Sequence, residues 1–208
     1  MYRVGIPAAL NMALPSFMIT ALNGILAVYS DLYVLVLGIY FKLQTFIYLT
    51  ANGIVQGIRP IIGYNYGAGE HRRVKRIFYT ALSLIAGIMV VGTIICVIFA
   101  GQLTGLFSSS PETIAIGKSA IRIISMGFLA SAVSVTACGA LEGLGKGGAS
   151  LLVSLLRYII IPIPAAWLIA TFAGVEYTWH AFWIGELITG IAAFILYMKQ
   201  TQNQSPKL

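Results

Sequence analysis

An all-α membrane protein crossed by six helices is the fold this sequence predicts, and three observations predict it. Only 9% of the 208 residues are charged while 59% are hydrophobic, and the mean hydropathy is +0.90. A soluble domain carries about a quarter charged residues, so this chain cannot cover itself with a solvated surface. The apolar residues fall into six stretches of roughly 20 or more, enough to cross a ~30 Å hydrocarbon core. Finally, the lysines and arginines gather at alternate breaks between those stretches.

The first span, 4–29, contains Pro7 and Pro15, which remove backbone donors and kink a helix. Ser16, Thr20 and Asn23 share one of its faces. It is longer than a signal-peptide core, and no small-residue cleavage site follows it. Ser30 and Asp31 break the chain before the second span, 33–64. There Lys42, Thr45, Leu49, Asn52, Gln56 and Arg59 recur in steps of three and four, so they stack along one helical face. A charge at mid-membrane costs about 2.5–3.5 kcal/mol on insertion scales. This row is therefore expected to face a water-filled cavity or a partner bundle rather than lipid.

The turn at 67–76 carries His71, Arg72, Arg73, Lys75 and Arg76 and leads into the third span, 77–100. After the break at Ser108–Glu112 the fourth span, 114–141, puts Lys118, Arg122 and Ser125 on one face and Ser131, Ser134 and Cys138 on another. The fifth span, 149–172, holds Arg157. The sixth, 178–198, holds Glu186, read as the single carboxylate within a span, and residues 201–208 form a polar tail. At ~1.5 Å per residue, Arg122 and Glu186 both lie about 12–13 Å from their outer ends, and Arg157 about 12 Å from its inner end. Glu186 is expected to pair with one of these arginines; depth favours Arg122, and adjacency of the helices favours Arg157. Gly139, Gly143 and Gly147, and likewise Gly53 and Gly57, recur every four residues, the spacing that lets helices approach closely.

Alternating the spans places Arg3, the 72–76 cluster, Lys146, Lys199 and Lys207 on one side, whereas the opposite loops hold Asp31, Glu112 and Glu176 without any lysine or arginine. That asymmetry predicts both termini in the cytoplasm, and the expected location is the plasma membrane. Trp167, Trp179 and Trp183 fit an interfacial belt at the outer ends. The net charge of +7 sits at helix ends, which points to topology and anionic headgroups and not to nucleic acid.

Catalytic chemistry finds little support. The glycines at 143, 145 and 148 follow a membrane helix and not a strand, so they make no dinucleotide site, and a P-loop fails because Gly147 stands where a hydroxyl must bind magnesium. His71 and His180 are far apart and lack companion ligands, so no metal is expected. Cys96 and Cys138 lie in apolar spans as small hydrophobes. No enzyme and no cofactor are predicted.

Gln56, Gly57, Pro60, Gly63, Tyr64, Asn65 and Gly67, with the basic turn behind them, form a pattern that resembles the end of a central helix in multidrug and toxic compound extrusion (MATE) transporters. Gly5, Pro7 and Asn23 are similar to the family's seventh helix, Ala140–Lys146 to its tenth-to-eleventh junction, and Trp179–Glu186 to the start of its twelfth. The resemblance implies the C-terminal six-helix lobe of a twelve-helix protein. Such proteins export cationic or amphipathic compounds in exchange for Na+ or H+ by alternating access. A second six-helix lobe, as a separate chain or a second copy, is then the expected partner, alongside the bilayer and a small-molecule substrate. Asn23, Lys42, Thr45, Asn52 and Gln56 are the candidate cavity residues. The resemblance also implies that the coupling ion binds in the other lobe, because Pro15 and Ser131 stand where some members carry acids. Arg59 replaces a common glutamine and would repel cations unless paired. The alternatives are a lobe of a lipid-linked oligosaccharide flippase, or an inactive remnant that only assembles in the membrane.

Overall fold

The computed structural model describes the backbone of residues 2–202 and the side chains of 9–201. Most of the expected tail 201–208, Lys207 and the side chains of Arg3 and Pro7 lie outside the described residues. Among those described there is no strand. The helices are α1 (Tyr2–Ala27), α2 (Asp31–Gly67), α3 (His71–Gly105), α4 (Pro111–Ser125), α5 (Phe128–Gly143), α6 (Gly147–Leu155), α7 (Pro162–Phe172) and α8 (His180–Gln202).

They make six crossings, because two spans are each built from two helices. The expected fourth span is α4 followed by α5, bent by 53° at Met126 and Gly127. Gly127 lets α8 approach closely at the bend: a Cβ there would lie 2.9 Å from the Trp183 backbone. The expected fifth span is α6, a π turn at Leu156–Ile160, and α7. Pro162 and Pro164 explain that turn. Neither can donate to the carbonyl four residues earlier, so the coil widens, and Ile161 N donates to Leu156 O, five residues back, at 3.3 Å. Helix ends run beyond the apolar windows, and α2 covers 37 residues where 33–64 was expected. Its start is capped by Ser30 Oγ, which accepts from Leu32 N. Pro15 does not interrupt α1.

The helix α5 is the hub of the lobe and packs against α2, α3, α6 and α8. Apolar side chains fill its surroundings in two layers. One centres on Leu37, Tyr40, Ile121 and Trp179, the other on Ile62, Phe78, Leu141 and Tyr197, where Phe78 and Tyr197 stack at 3.8 Å. Small residues set the α2–α5 distance. A Cβ on Gly139 would collide with Val55 Cγ1, and one on Gly143 would meet Arg59 O at 2.7 Å. Gly53 and Gly57 behave otherwise, because a Cβ on either meets nothing within 4 Å; they face away from the lobe's interior and serve no packing within it. Trp179 also departs from expectation. It is 1% exposed and stacks on Tyr33 inside the bundle, so it is core and not an interfacial anchor.

Candidate functional site: a polar cleft on one face of the lobe

Between α1, α2, α5 and the π turn lies a cleft of about 320 Å³, continuous through Pro15, Asn52 and Tyr158 with a second compartment of about 240 Å³. Thr45, Asn52, Gln56 and Arg59 of α2 line it, with Gln44 and Tyr48 of the same helix beside them. The helical stripe read from the sequence therefore does face a cavity over most of its length. Thr45 donates to its own helix at Phe41 O, 2.8 Å away, so it presents little free hydrogen-bonding capacity.

Two expected wall residues lie elsewhere. Lys42 leaves the cleft and sets its Nζ 5.5 Å from the Phe107 ring, on the connection between α3 and α4. Asn23 lies one turn beyond Ile19, the last α1 residue on the wall, and is half-buried away from the cleft. Asn23 lies past the outer limit of the cleft, whereas Lys42 is at its level, since Phe41 beside it lines the wall, and is drawn off toward Phe107.

The floor of the cleft is an ion pair. Arg157 donates to Glu186 Oε1 through Nε at 2.9 Å and Nη2 at 2.8 Å, and its guanidinium lies 5.4 Å from the Tyr48 ring and 5.3 Å from that of Tyr158. Ser134 Oγ donates to Glu186 Oε2 at 3.3 Å. Arg122, the other candidate partner, is not part of this pair. It is exposed, and its Nε donates to Val97 O of α3 at 3.0 Å. The π turn directs Arg157 inward, and the fifth-span prolines are the sequence signal for that geometry.

Nearer the inner end sits a second ion pair that the sequence did not reveal. Arg59 Nη2 approaches Glu142 Oε2 at 2.7 Å, while Glu142 Oε1 accepts from Asn11 Nδ2 at 2.9 Å and Ser150 Oγ at 3.0 Å. Arg59 Nη1 also donates to Gln56 Oε1 at 3.2 Å. Glu142 falls one residue past the apolar window 114–141, and Glu186 is therefore not the only carboxylate engaged within the bundle. One network thus ties α1, α2, α5 and α6 together. Asn11 Oδ1 and Arg59 Nε are buried there without a protein partner. Ser131 accepts from Tyr48 OH at 2.6 Å, and the signature residue Asn65 donates to Ile61 O at 2.8 Å within α2. The other signature positions shape the end of α2: Pro60 lies within it, and a Cβ on Gly63 would press on Gly143 O at 3.1 Å.

This bundle, with its cleft at the surface of α1 and α2, coincides with known transporters. The model of the MatE family matches residues 7–168. The chain belongs to the MatE family. Multidrug export protein MepA of Staphylococcus aureus is 26% identical over 195 residues, which is 94% of this chain and 43% of MepA; MepA of Staphylococcus saprophyticus matches to the same extent. Among solved structures, the Vibrio cholerae MATE transporter VcmN in its bent form superposes with a TM-score of 0.91 at 23% identity, over 97% of this chain and 46% of that one. A Pyrococcus furiosus transporter of the MOP superfamily gives 0.91 at 18%, over 96% and 46%. At those identities the structures establish the fold alone. The MatE chain described here spans about half the length of the relatives it matches. The oligosaccharide flippase is not favoured: both cleft arginines are engaged by glutamates, leaving neither free to hold a pyrophosphate.

Proposed function

We propose that this MatE chain forms one lobe of a two-lobed exporter of cationic or amphipathic compounds, moving them by alternating access in exchange for Na+ or H+. The observation that carries this is the open polar cleft, in which exposed Asn52 and Gln56 stand above two neutralised ion pairs. Such a surface is half of a binding site, and a second six-helix lobe completes it, as a separate chain, a second copy or a further part of a longer protein. The coupling ion binds outside this lobe: each cleft carboxylate already holds an arginine, and Ser131 is occupied by Tyr48. Both ends of the lobe face the cytoplasm in the plasma membrane, in keeping with the lysine and arginine asymmetry of the loops.

The test is export of a fluorescent cation from proteoliposomes that contain the chain alone or with a second lobe, under a Na+ or an H+ gradient. Export driven by one gradient, and lost in Asn52→Leu, is expected when both lobes are present. Absence of export with either gradient in either preparation overturns the proposal.

A further inference from the structure

On the far side of α2 from the cleft, a groove of about 450 Å³ runs between α2 and α3. Ile54 and Ile58, which line it, follow Asn52 and Gln56 by two positions each, about 200° round the helix. The groove therefore faces away from the surface that a second lobe would cover. Its wall is mainly apolar, from Ile54 and Ile58 on α2 to Ile77 and Leu84 on α3, with Asn65 and Thr80 as its uncharged polar members, while Arg73 and Arg76 stand at one mouth. Arg76 has no carboxylate within 4 Å among the described residues, and Arg73 has only exposed Glu70 at 3.9 Å.

We infer that this groove holds one anionic phospholipid of the leaflet on the basic side of the membrane, its phosphate between Arg73 and Arg76 and an acyl chain along the groove. Length supports the assignment. Arg73 to Leu84 spans eleven residues, ~16 Å of helix, against ~15 Å for half of the hydrocarbon core. The wall thus matches one leaflet in depth and ends in charge where the headgroups begin. Basic groups at such a depth between helices are complementary to a lipid phosphate. Arg72 and Lys75 carry the same charge in the same turn yet do not line the groove, so they separate a defined site from diffuse surface attraction.

Native mass spectrometry of the purified chain, titrated with phosphatidylglycerol or with phosphatidylcholine of the same acyl chains, tests the inference. One phosphatidylglycerol is expected to bind in preference to phosphatidylcholine. Arg73→Gln with Arg76→Gln should weaken it about thirtyfold, from about a kilocalorie per charge. Arg72→Gln with Lys75→Gln should change it less than about threefold. Thr80→Trp, at an exposed groove position, should displace the acyl chain while both arginines remain, and free glycerol phosphate should not compete. Equal losses in the two charge-matched variants, unchanged binding in Thr80→Trp, or competition by glycerol phosphate would each overturn the site. Circular dichroism and elution profiles verify that all variants are folded.

Discussion

Replacing Arg157 by methionine should be among the most damaging single changes to this lobe, and the geometry sets its scale. The side chains of Arg157 and Glu186 are 7% and 16% exposed, and two donors of Arg157 reach one oxygen at 2.8 and 2.9 Å. An exposed pair would contribute about 0–1 kcal/mol. Removing one member of a buried pair costs about 3–5 kcal/mol, because the survivor keeps its charge without compensation. After Arg157→Met, Glu186 retains only the Ser134 hydroxyl at 3.3 Å. For a chain of this size each kcal/mol corresponds to roughly 2–4 °C, so the midpoint should fall by about 6–20 °C. Glu186→Gln should fall toward the mild end, since its amide oxygen still accepts and the two tyrosine rings still face the cation. The double variant Arg157→Met with Glu186→Leu should recover most of the loss, as apolar replacement of a buried pair is often neutral. Melting in detergent, followed by tryptophan fluorescence, gives the full double-mutant cycle. Single variants shifted by less than about 2 °C, or losses that simply add, would refute the claim that the pair is sequestered from solvent.

Gly143→Ala should cost about 1–3 kcal/mol by pressing its methyl on the Arg59 carbonyl, whereas Gly57→Ala, with nothing near it, should leave the same melting curve unchanged. Arg59→Gln should lower stability by at most about 1 kcal/mol, because that side chain is 37% exposed, yet it should lower the KM for a fluorescent cation by freeing Glu142 on the cleft wall. Tyr48→Phe should cost about 1 kcal/mol, since Ser131 keeps its bond to Phe128 O after the phenol is lost.

The six crossings were legible because hydrocarbon thickness imposes a minimum length, and composition reports that length directly. What composition cannot report is a change of helical coil inside an apolar run. The break at Gly127 and the π turn before Pro162 are both backbone events, and they decide which arginine meets Glu186. Sequence depth ranks Arg122 first by treating the fourth span as straight, whereas that span bends by 53° and Arg122 reaches Val97 O instead. Pro162 and Pro164 were the available clue to Arg157. Glu142 was hidden for a different reason. It sits at the boundary of its span, where a carboxylate reads as a loop residue, and only the packing of α1 and α2 against α5 reveals its partners. The glycines divide in the same way, since spacing alone does not separate Gly139 and Gly143, which face a helix, from Gly53 and Gly57, which do not.

The length of α2 explains why its polar stripe splits. Thirty-seven residues make ~55 Å of helix, so centring it on a ~30 Å core leaves about 12 Å beyond each boundary. Lys42, eleven residues from Asp31, then enters the hydrocarbon by only ~4 Å, within reach of a side chain that extends back toward the interface. It needs no cavity, and Phe107 on the neighbouring connection receives it. Asn52 falls ~19 Å inside the same boundary and ~11 Å from the opposite one, beyond the reach of either interface, while Gln56, at ~25 Å, lies only ~5 Å from the opposite boundary. Arg59 arrives near the opposite boundary, half-exposed and paired with Glu142. Along the stripe, the members at greatest depth, Thr45, Leu49 and Asn52, are thus all uncharged. The charge that does lie deep, Arg157, enters from another helix and is neutralised by Glu186 before it reaches the cleft. A wall of this kind offers hydrogen bonds to a passing molecule without fixing the sign of its charge. Any selection by charge must therefore come from whatever surface closes over Asn52 and Gln56.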